Sequence, residues 1–418
     1  MRYFVALMFL SACFVLGFAW RDIRQGKLPD SATMSAMVGG GGSKEPSVAP
    51  KVLFKTAYDN ISKNYRREVD AKKLRYAAMR GLVGALGDPH SMFFEPRQAE
   101  DFTIETEGSL VGIGARLSED PLGALAVIVF ENGPGFKSGL RKGDIITEVD
   151  GKSSAGMSVE DIVQTIRGKE GTMVRLKLLR ASVKDPVNIV ARRSQVILPT
   201  VETALVPGTS IGYMSVSSFS EITVGQFDDG LDKLAALKAK GLIIDLRGNG
   251  GGLLGTATEM LSRFVEDKLV VKLKRGDRVL DEERTLIGLK RNLNYPVIVL
   301  VNSESASASE IFAGVMSDYK LATIVGEHTY GKMSVQNVYM LVDGSSAKVT
   351  IAKYYMPSGQ DISRMMDDDG IFISGGLKPD VEVKFRVLDP VKGAPATIVP
   401  NDTQLVKAVE IIQSRLGS

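Results

Sequence analysis

Asp245-Leu246-Arg247-Gly248-Asn249-Gly250-Gly251-Gly252 follows directly on the apolar run at residues 242–246. A short unbroken apolar run closed by glycines reads as a strand buried on both faces. The three consecutive glycines let another group approach the backbone closely and leave its N–H bonds outward, which suits an anion or oxyanion. A tight strand-to-helix turn also uses glycine, so a purely structural role stays open. The GxxxxGK[ST] pattern of a phosphate loop is absent. Upstream, Phe227, Leu231, Leu234 and Leu237 mark one face of a helix, and downstream a second apolar run occupies residues 297–301. Strand, helix, strand in alternation predicts an α/β layer fold from Ile211 onward.

The second apolar run leads into Ser305-Ala306-Ser307-Ala308-Ser309-Glu310 and then an apolar helix with Ile311, Phe312 and Val315. Small residues at a strand-to-helix corner leave room for a substrate. Ser307-x-x-Glu310 also satisfies a capping box, in which the hydroxyl only closes the helix. A second segment weighs on that choice: Gly331-Lys332-Met333-Ser334-Val335-Gln336. An extended run places Lys332 and Gln336 on one face. A lysine becomes a base when burial depresses its pKa, by up to ~3–5 units, and a glutamine amide orients the amine without adding charge. The rival base, His328, has no GxSxG elbow to serve. His90, in Asp88-Pro89-His90-Ser91, sits in a turn that ends a helix and reads as a packing or hydrogen-bonding residue.

Toward the N-terminus, residues 107–192 change to short β-rich runs with glycine turns, predicting a compact β domain. One helix interrupts it, with Val159, Ile162, Val163 and Ile166 on a face and Ser158 as N-cap. Before that, Phe54, Tyr58, Ile61 and Tyr65, then Leu74, Ala78, Leu82 and Leu86, predict two amphipathic helices, the second stopped by Gly87-Asp88-Pro89. Residues 27–50 are a Gly/Ser/Pro linker, and residues 4–20 are apolar behind Met1-Arg2, reading as an export signal or membrane anchor. Leu10-Ser11-Ala12-Cys13 resembles a lipoprotein box, but the apolar run continues past it. Leu405, Val409, Ile412 and Leu416 predict a closing helix that starts near Asp402.

Composition excludes several chemistries. Lys plus Arg exceeds Asp plus Glu only as 52 to 49, with no basic stripe, so nucleic acid is not an expected partner. Cys13 is the one cysteine, which removes disulfides, thiolate metal clusters and a cysteine nucleophile; with two histidines and no HExxH, metal catalysis is not expected either. No cofactor is called for.

Taken together, SASASEI at residues 305–311, the 25-residue step from Ser307 to Lys332, GKxSVQ, DLRGNxGG, Gly376-Leu377-Lys378-Pro379-Asp380 and Asp88-Pro89-His90-Ser91 resemble the carboxyl-terminal processing, or tail-specific, serine peptidases. The resemblance runs from about residue 50 to the end. It implies that Ser307 is the nucleophile, Lys332 the general base and Gln336 its positioner. The implied oxyanion donors are the N–H groups of Gly252 and Ala308, with Gly251 a weaker candidate. Residues 107–196 resemble the family's PDZ domain, which adds a peptide to a sheet edge and captures its terminal carboxylate. Gly112, Ile113 and Gly114 match its carboxylate loop, and Arg167 matches a sensor of bound peptide, or else is an ordinary cation at a helix end. Gly250, Met333 and Ser303-Glu304 depart from the usual pattern, and Asp367-Asp368-Asp369-Gly370 looks inserted, with no role assigned.

The expectation is therefore a multidomain α/β protein. It comprises a signal or anchor at 1–26, linker 27–50, helical region 51–106, PDZ domain 107–196, a ClpP/crotonase-like serine protease core at 197–390, and a C-terminal helical region at 391–418. Implied partners are proteins or peptides with accessible C-termini. The family precedent leaves room for self-association and for an adaptor protein, and the N-terminal segment places the chain outside the cytoplasm, in the periplasm or cell envelope. Two alternatives are a PDZ adaptor on an inactive protease scaffold and a crotonase-like acyl-CoA enzyme. The second would normally use carboxylate acid/base groups and would not require a serine–lysine pair.

Overall fold

The computed structural model describes residues 49–367, 372–388 and 399–417. The export segment, most of the linker, and Asp368, Asp369 and Gly370 of the acidic run lie outside these. Among the described residues no helix is long and apolar enough to cross a membrane.

The molecule divides into two compact units, residues 1–75 and 76–418. The described part of the first holds the helix Pro50–Asn64, which buries none of its residues and leaves Phe54 and Ile61 about half exposed. Helix Ala71–Gly84 spans the boundary. Its buried residues are Tyr76 and Val83, whereas Leu82 is 65% exposed and Leu86, beyond its end, 58%. Of the face predicted from Leu74, Ala78, Leu82 and Leu86, the first two are only half-buried and the last two exposed, so it is not the one that packs. Tyr76 and Val83 cluster instead with Phe93, Met79 and Leu341, and tertiary partners, not intrinsic periodicity, choose the face.

In the second unit the β domain is a six-stranded antiparallel sheet. Its strands include Ala115–Asp120, Gly123–Val129, Ile145–Val149, Met173–Leu179 and Val187–Arg192. The helix Val159–Ile166 packs on it through Ile162 and Ile166, and Ser158 Oγ caps it by accepting the Asp161 N–H. Strand Ser109–Gly112 enters this domain and pairs antiparallel with the exit strand Ser194–Ile197.

The core contains a six-stranded sheet in the order Val201–Leu205, Ile211–Val216, Gly241–Asp245, Val297–Val301, Thr323–Gly326 and Val381–Glu382; all neighbours are parallel except the first pair. Its two central strands are buried along their whole length. Parallel strands covered on both faces have no solvent side to alternate toward, and their sequence is correspondingly continuous in apolar residues. Helices Thr223–Ala236, Leu254–Leu261 and Ala308–Asp318 contribute to one apolar cluster, where Phe219, Phe227, Phe264 and Phe312 meet. The closing helix Thr403–Leu416 contributes Leu405, Ala408 and Ile412 to a second cluster with Ile243 and Ile298 of the central strands; Asp402 Oδ1 caps it from Gln404 and Leu405 N–H.

A second sheet is built on the long strand Ser346–Tyr355. It pairs with Ser334–Met340, with Leu269–Arg275 and with the short strand Met92–Phe94. The N-terminal region thus supplies a strand, Met92–Phe94, as well as helices.

Candidate active site

The two motif turns are sewn together by short polar side chains. Asn249 is fully buried; its Nδ2 donates to Val216 O at 2.8 Å, and its Oδ1 accepts the Gly251 N–H at 2.8 Å. Its backbone carbonyl accepts the Ala306 N–H and the Ser309 hydroxyl. Ser305 Oγ donates to Leu246 O at 2.8 Å. The outer serines of the SASAS run therefore satisfy buried carbonyls, a role the sequence reading did not assign to them. Gly251 has φ +104°, and a Cβ there would lie 2.7 Å from Ala306 O and 2.8 Å from Ser307 Cβ. Only glycine admits this approach.

Ser307 precedes helix Ala308–Asp318 with φ +55° and ψ −116°. Such a conformation costs a non-glycine residue about 1–3 kcal/mol and persists only where the surroundings impose it. One constraint is Glu310, which is fully buried. Its Oε2 accepts the Ser307 N–H at 2.9 Å and the Lys332 N–H at 2.9 Å, and its Oε1 accepts the Gly331 N–H at 2.6 Å and the Thr329 hydroxyl. Glu310 thus does what a capping-box glutamate does for Ser307, and the same carboxylate holds the loop that carries Lys332. Burial holds its pKa above the usual carboxylate range, against the opposing pull of these four hydrogen bonds. A further tie is the Tyr330 N–H to Ser305 O at 2.9 Å.

The loop is supported from behind by the Gly376-Leu377-Lys378-Pro379-Asp380 segment. Thr329 Oγ1 accepts the Leu377 N–H at 2.6 Å, and Asp380 Oδ2 accepts the Ile324 N–H at 2.8 Å. Gly331, at φ +91°, has the backbones of Ile362, Arg364 and Gly376 within 2.9 Å of any Cβ it might carry. Met333 is buried and its sulfur accepts the Ile362 N–H.

Lys332 precedes strand Ser334–Met340, so it is not a strand residue sharing a regular face with Gln336. Burial lowers its pKa first, and the nearby Lys348 charge lowers it further, against the opposing influence of Glu310 and Asp88. Gln336 lies opposite Thr350 on the long strand, at a register shift, and its Nε2 donates to Thr350 Oγ1 at 3.2 Å. Asp88-Pro89-His90-Ser91 reaches the same place. Burial lowers the His90 pKa, and the Lys332 charge adds to that effect. His90 is therefore a neighbour of the lysine, a placement that sequence spacing alone did not indicate.

The Phe219 N–H and C=O are used by Gly251 O and the Leu253 N–H respectively. Among the described residues the N–H groups of Gly252 and Ala308 make no hydrogen bond, whereas that of Gly251 is committed to Asn249. The first two are free to serve an oxyanion.

In the β domain, Gly112, Ile113 and Gly114 are buried at the end of strand Ser109–Gly112. Ile113 O and Gly114 O accept from Gly135 and Phe130 N–H, and Gly114 has φ +73°. Arg167 follows the helix Val159–Ile166, and its Nη1 pairs with Asp101 Oδ1 at 2.9 Å on helix Pro96–Glu107. Among the described residues no group of His, Cys, Asp and Glu is arranged to hold a metal.

A PDZ domain joined to an α/β core with a serine at a strained strand-to-helix turn defines a PDZ-bearing serine-type peptidase. The chain belongs to peptidase family S41: the family's sequence profile matches residues 210–383, a PDZ domain profile matches residues 129–180, and the profile described as Activating protease CtpB N-terminal domain matches residues 24–97. It is 34% identical over 331 residues to carboxy-terminal processing protease CtpB of Bacillus subtilis (strain 168), covering 78% of this chain and 66% of that one. Similarity to carboxy-terminal processing protease CtpA of the same organism is also 34%, over 79% of this chain and 68% of the relative. Among solved structures it resembles the photosystem II D1 C-terminal processing protease, at 28% identity and a TM-score of 0.43, covering 81% of this chain and 94% of that chain.

Proposed function

We propose that this chain is a serine endopeptidase that captures protein C-termini with its PDZ domain and hydrolyses peptide bonds with a Ser307–Lys332 dyad. The observation that carries the reading is the single carboxylate oxygen of Glu310 that binds the backbones of both residues. In the reaction, the neutral Lys332 amine takes the Ser307 Oγ proton as Oγ bonds to the scissile carbonyl carbon. The oxyanion that forms is met by the Gly252 and Ala308 N–H groups. The lysine ammonium returns its proton to the leaving amine as the C–N bond breaks. Water, deprotonated by the same amine, then attacks the ester and releases Ser307.

An adaptor without activity would have no use for a half-buried lysine with a depressed pKa whose backbone shares the Glu310 carboxylate with the strained serine. The apolar stretch at residues 4–20 supports a place outside the cytoplasm, in the periplasm or cell envelope, which fractionation of a tagged full-length chain tests. For the activity, the full chain is incubated with an unstructured polypeptide beside Ser307→Ala and Lys332→Ala. Cleavage is expected from the parent alone; cleavage surviving both substitutions would refute the dyad.

A further inference from the structure

The glycine run carries several backbone N–H groups, and one buried side chain decides which of them stays open. Asn249 is fully buried, and each end of its amide meets a partner of fixed sense. Val216 O can only accept, and it takes Nδ2 at 2.8 Å; the Gly251 N–H can only donate, and it meets Oδ1 at 2.8 Å. A carbonyl at one end and an N–H at the other leave a single orientation for the amide. The Gly251 N–H is thereby spent inside the turn. Phe219 holds the peptides on either side of the next residue: its N–H donates to Gly251 O at 2.9 Å and its C=O accepts the Leu253 N–H at 2.7 Å. Gly252 lies between them at φ +143°, with its own N–H unbonded among the described residues.

The carbonyl of the same asparagine reaches across to the serine turn. Asn249 O accepts the Ala306 N–H at 3.1 Å and the Ser309 hydroxyl at 2.8 Å, so it grips the chain on both sides of Ser307 and Ala308. The two turns are then so close that a Cβ on Gly251 would lie 2.9 Å from Ala308 N. We infer that Asn249 is a positioning residue for the peptidase reaction: its amide takes the Gly251 N–H out of use and leaves that of Gly252 as the donor of the glycine run, while its carbonyl sets the spacing between that donor and the Ala308 N–H. This role rests on the serine nucleophile and oxyanion donors proposed above. Asparagine alone suits the position by shape and sense, since an aspartate would turn a second acceptor toward Val216 O and a leucine would serve neither partner.

The test compares a peptide aldehyde with the corresponding peptide alcohol as inhibitors of the full chain during hydrolysis of a fluorophore-labelled unstructured polypeptide. Ser307 Oγ bonds to the aldehyde carbon, its proton passes to the Lys332 amine, and the carbonyl oxygen becomes the anion that the two N–H groups meet. The alcohol has no carbonyl and binds only as a peptide. Asn249→Asp keeps the shape and the acceptor for Gly251 but loses the donor to Val216, and Ser309→Ala removes one bond to the Asn249 carbonyl. Asn249→Asp is expected to lower kcat roughly 10- to 100-fold with KM changed less than about 2-fold, and to weaken the aldehyde by a similar factor while the alcohol binds as before. Ser309→Ala should act in the same sense by about 3- to 10-fold. A merely structural role would lower the melting temperature without moving the aldehyde-to-alcohol ratio. A folded Asn249→Asp enzyme with the parental ratio, or with both inhibitors weakened equally, would overturn the inference; if that variant fails to fold, a parental ratio in Ser309→Ala does so. A parent enzyme that binds the aldehyde no more tightly than the alcohol, or cleavage persisting in Ser307→Ala and Lys332→Ala, would instead remove the reading on which the role rests.

Discussion

Ser307 and Lys332 hang from one oxygen: the backbone N–H of each reaches Glu310 Oε2 at 2.9 Å. The Ser307 turn and the Lys332 loop come from different connections of the sheet, and the buried Glu310 carboxylate between them replaces the covalent link they lack. A carboxylate suits this position because every partner it meets is a donor.

Glu310→Gln puts an NH2 group among those four donors, so at least one donor loses its acceptor. A buried unsatisfied group costs about 1–3 kcal/mol, and the strained φ of Ser307 loses part of its support. The expected result is a lower melting temperature together with a lower kcat, read by calorimetry and peptide hydrolysis. Parental values for both would show that the shared oxygen is incidental.

Lys332 yields a prediction in pH and one in stability. On the proposed mechanism the amine acts when neutral, so activity should rise with pH through a pKa below the ordinary lysine range, the direction that burial and Lys348 impose. Lys348 lies with its Nζ 5.6 Å and 5.4 Å from the ring centres of Phe94 and Phe102. Lys348→Met removes a positive charge near the base, and the acid limb of the kcat/KM profile should move to higher pH. An unmoved limb would contradict this.

Between the depressed folded pKa and the ordinary value the unfolded chain holds one more proton at Lys332, so its contribution to stability rises with pH across that window. Below the window the penalty for burying the amine is fully present. Lys332→Met should therefore abolish hydrolysis yet raise the melting temperature at neutral pH, a trade common to active sites. A lowered melting temperature would count against a half-buried, destabilising amine.

The glycine run makes a graded prediction. An added Cβ at Gly250 meets nothing within 4 Å, whereas at Gly251 it collides with Ala306 and Ser307, and at Gly252 with Phe219 O at 2.3 Å. Gly250→Ala should keep near-parental kcat. Gly251→Ala and Gly252→Ala should each lose about 100- to 1000-fold, the scale of one misplaced oxyanion donor. Equal tolerance at all three positions would remove the donor assignment.

Arg167 and Asp101 join the PDZ helix end to helix Pro96–Glu107. If the pair reports bound peptide, the parent enzyme should prefer a polypeptide with a free C-terminal carboxylate over its amidated form. Arg167→Gln and Asp101→Asn should each reduce that preference, and the double variant should reduce it no further. Additive losses would leave Arg167 as an ordinary cation.

Much of the architecture was legible in the residues because its signals are local. The two buried strands, the glycine turn and the serine-to-helix corner each lie within about a dozen consecutive positions, where periodicity and small residues speak directly. The helix Ala71–Gly84 was read on the wrong face because Tyr76 and Val83 acquire their partner Phe93 and the neighbouring Leu341 only in the folded chain. The roles of Asn249, Ser305 and Ser309 are not legible locally, because their carbonyl partners belong to other segments.

The chain's own residues singled out Ser307 and Lys332 as a pair through local patterns, the SASAS run and the GKxSVQ segment 25 residues on. What surrounds that pair was decided by tertiary structure. Thr350 and Ser91 are 259 positions apart, and strand pairing makes them hydrogen-bonded neighbours. Hydrogen-bond polarity and burial depend on what the fold brings from a distance, and no local pattern encodes either.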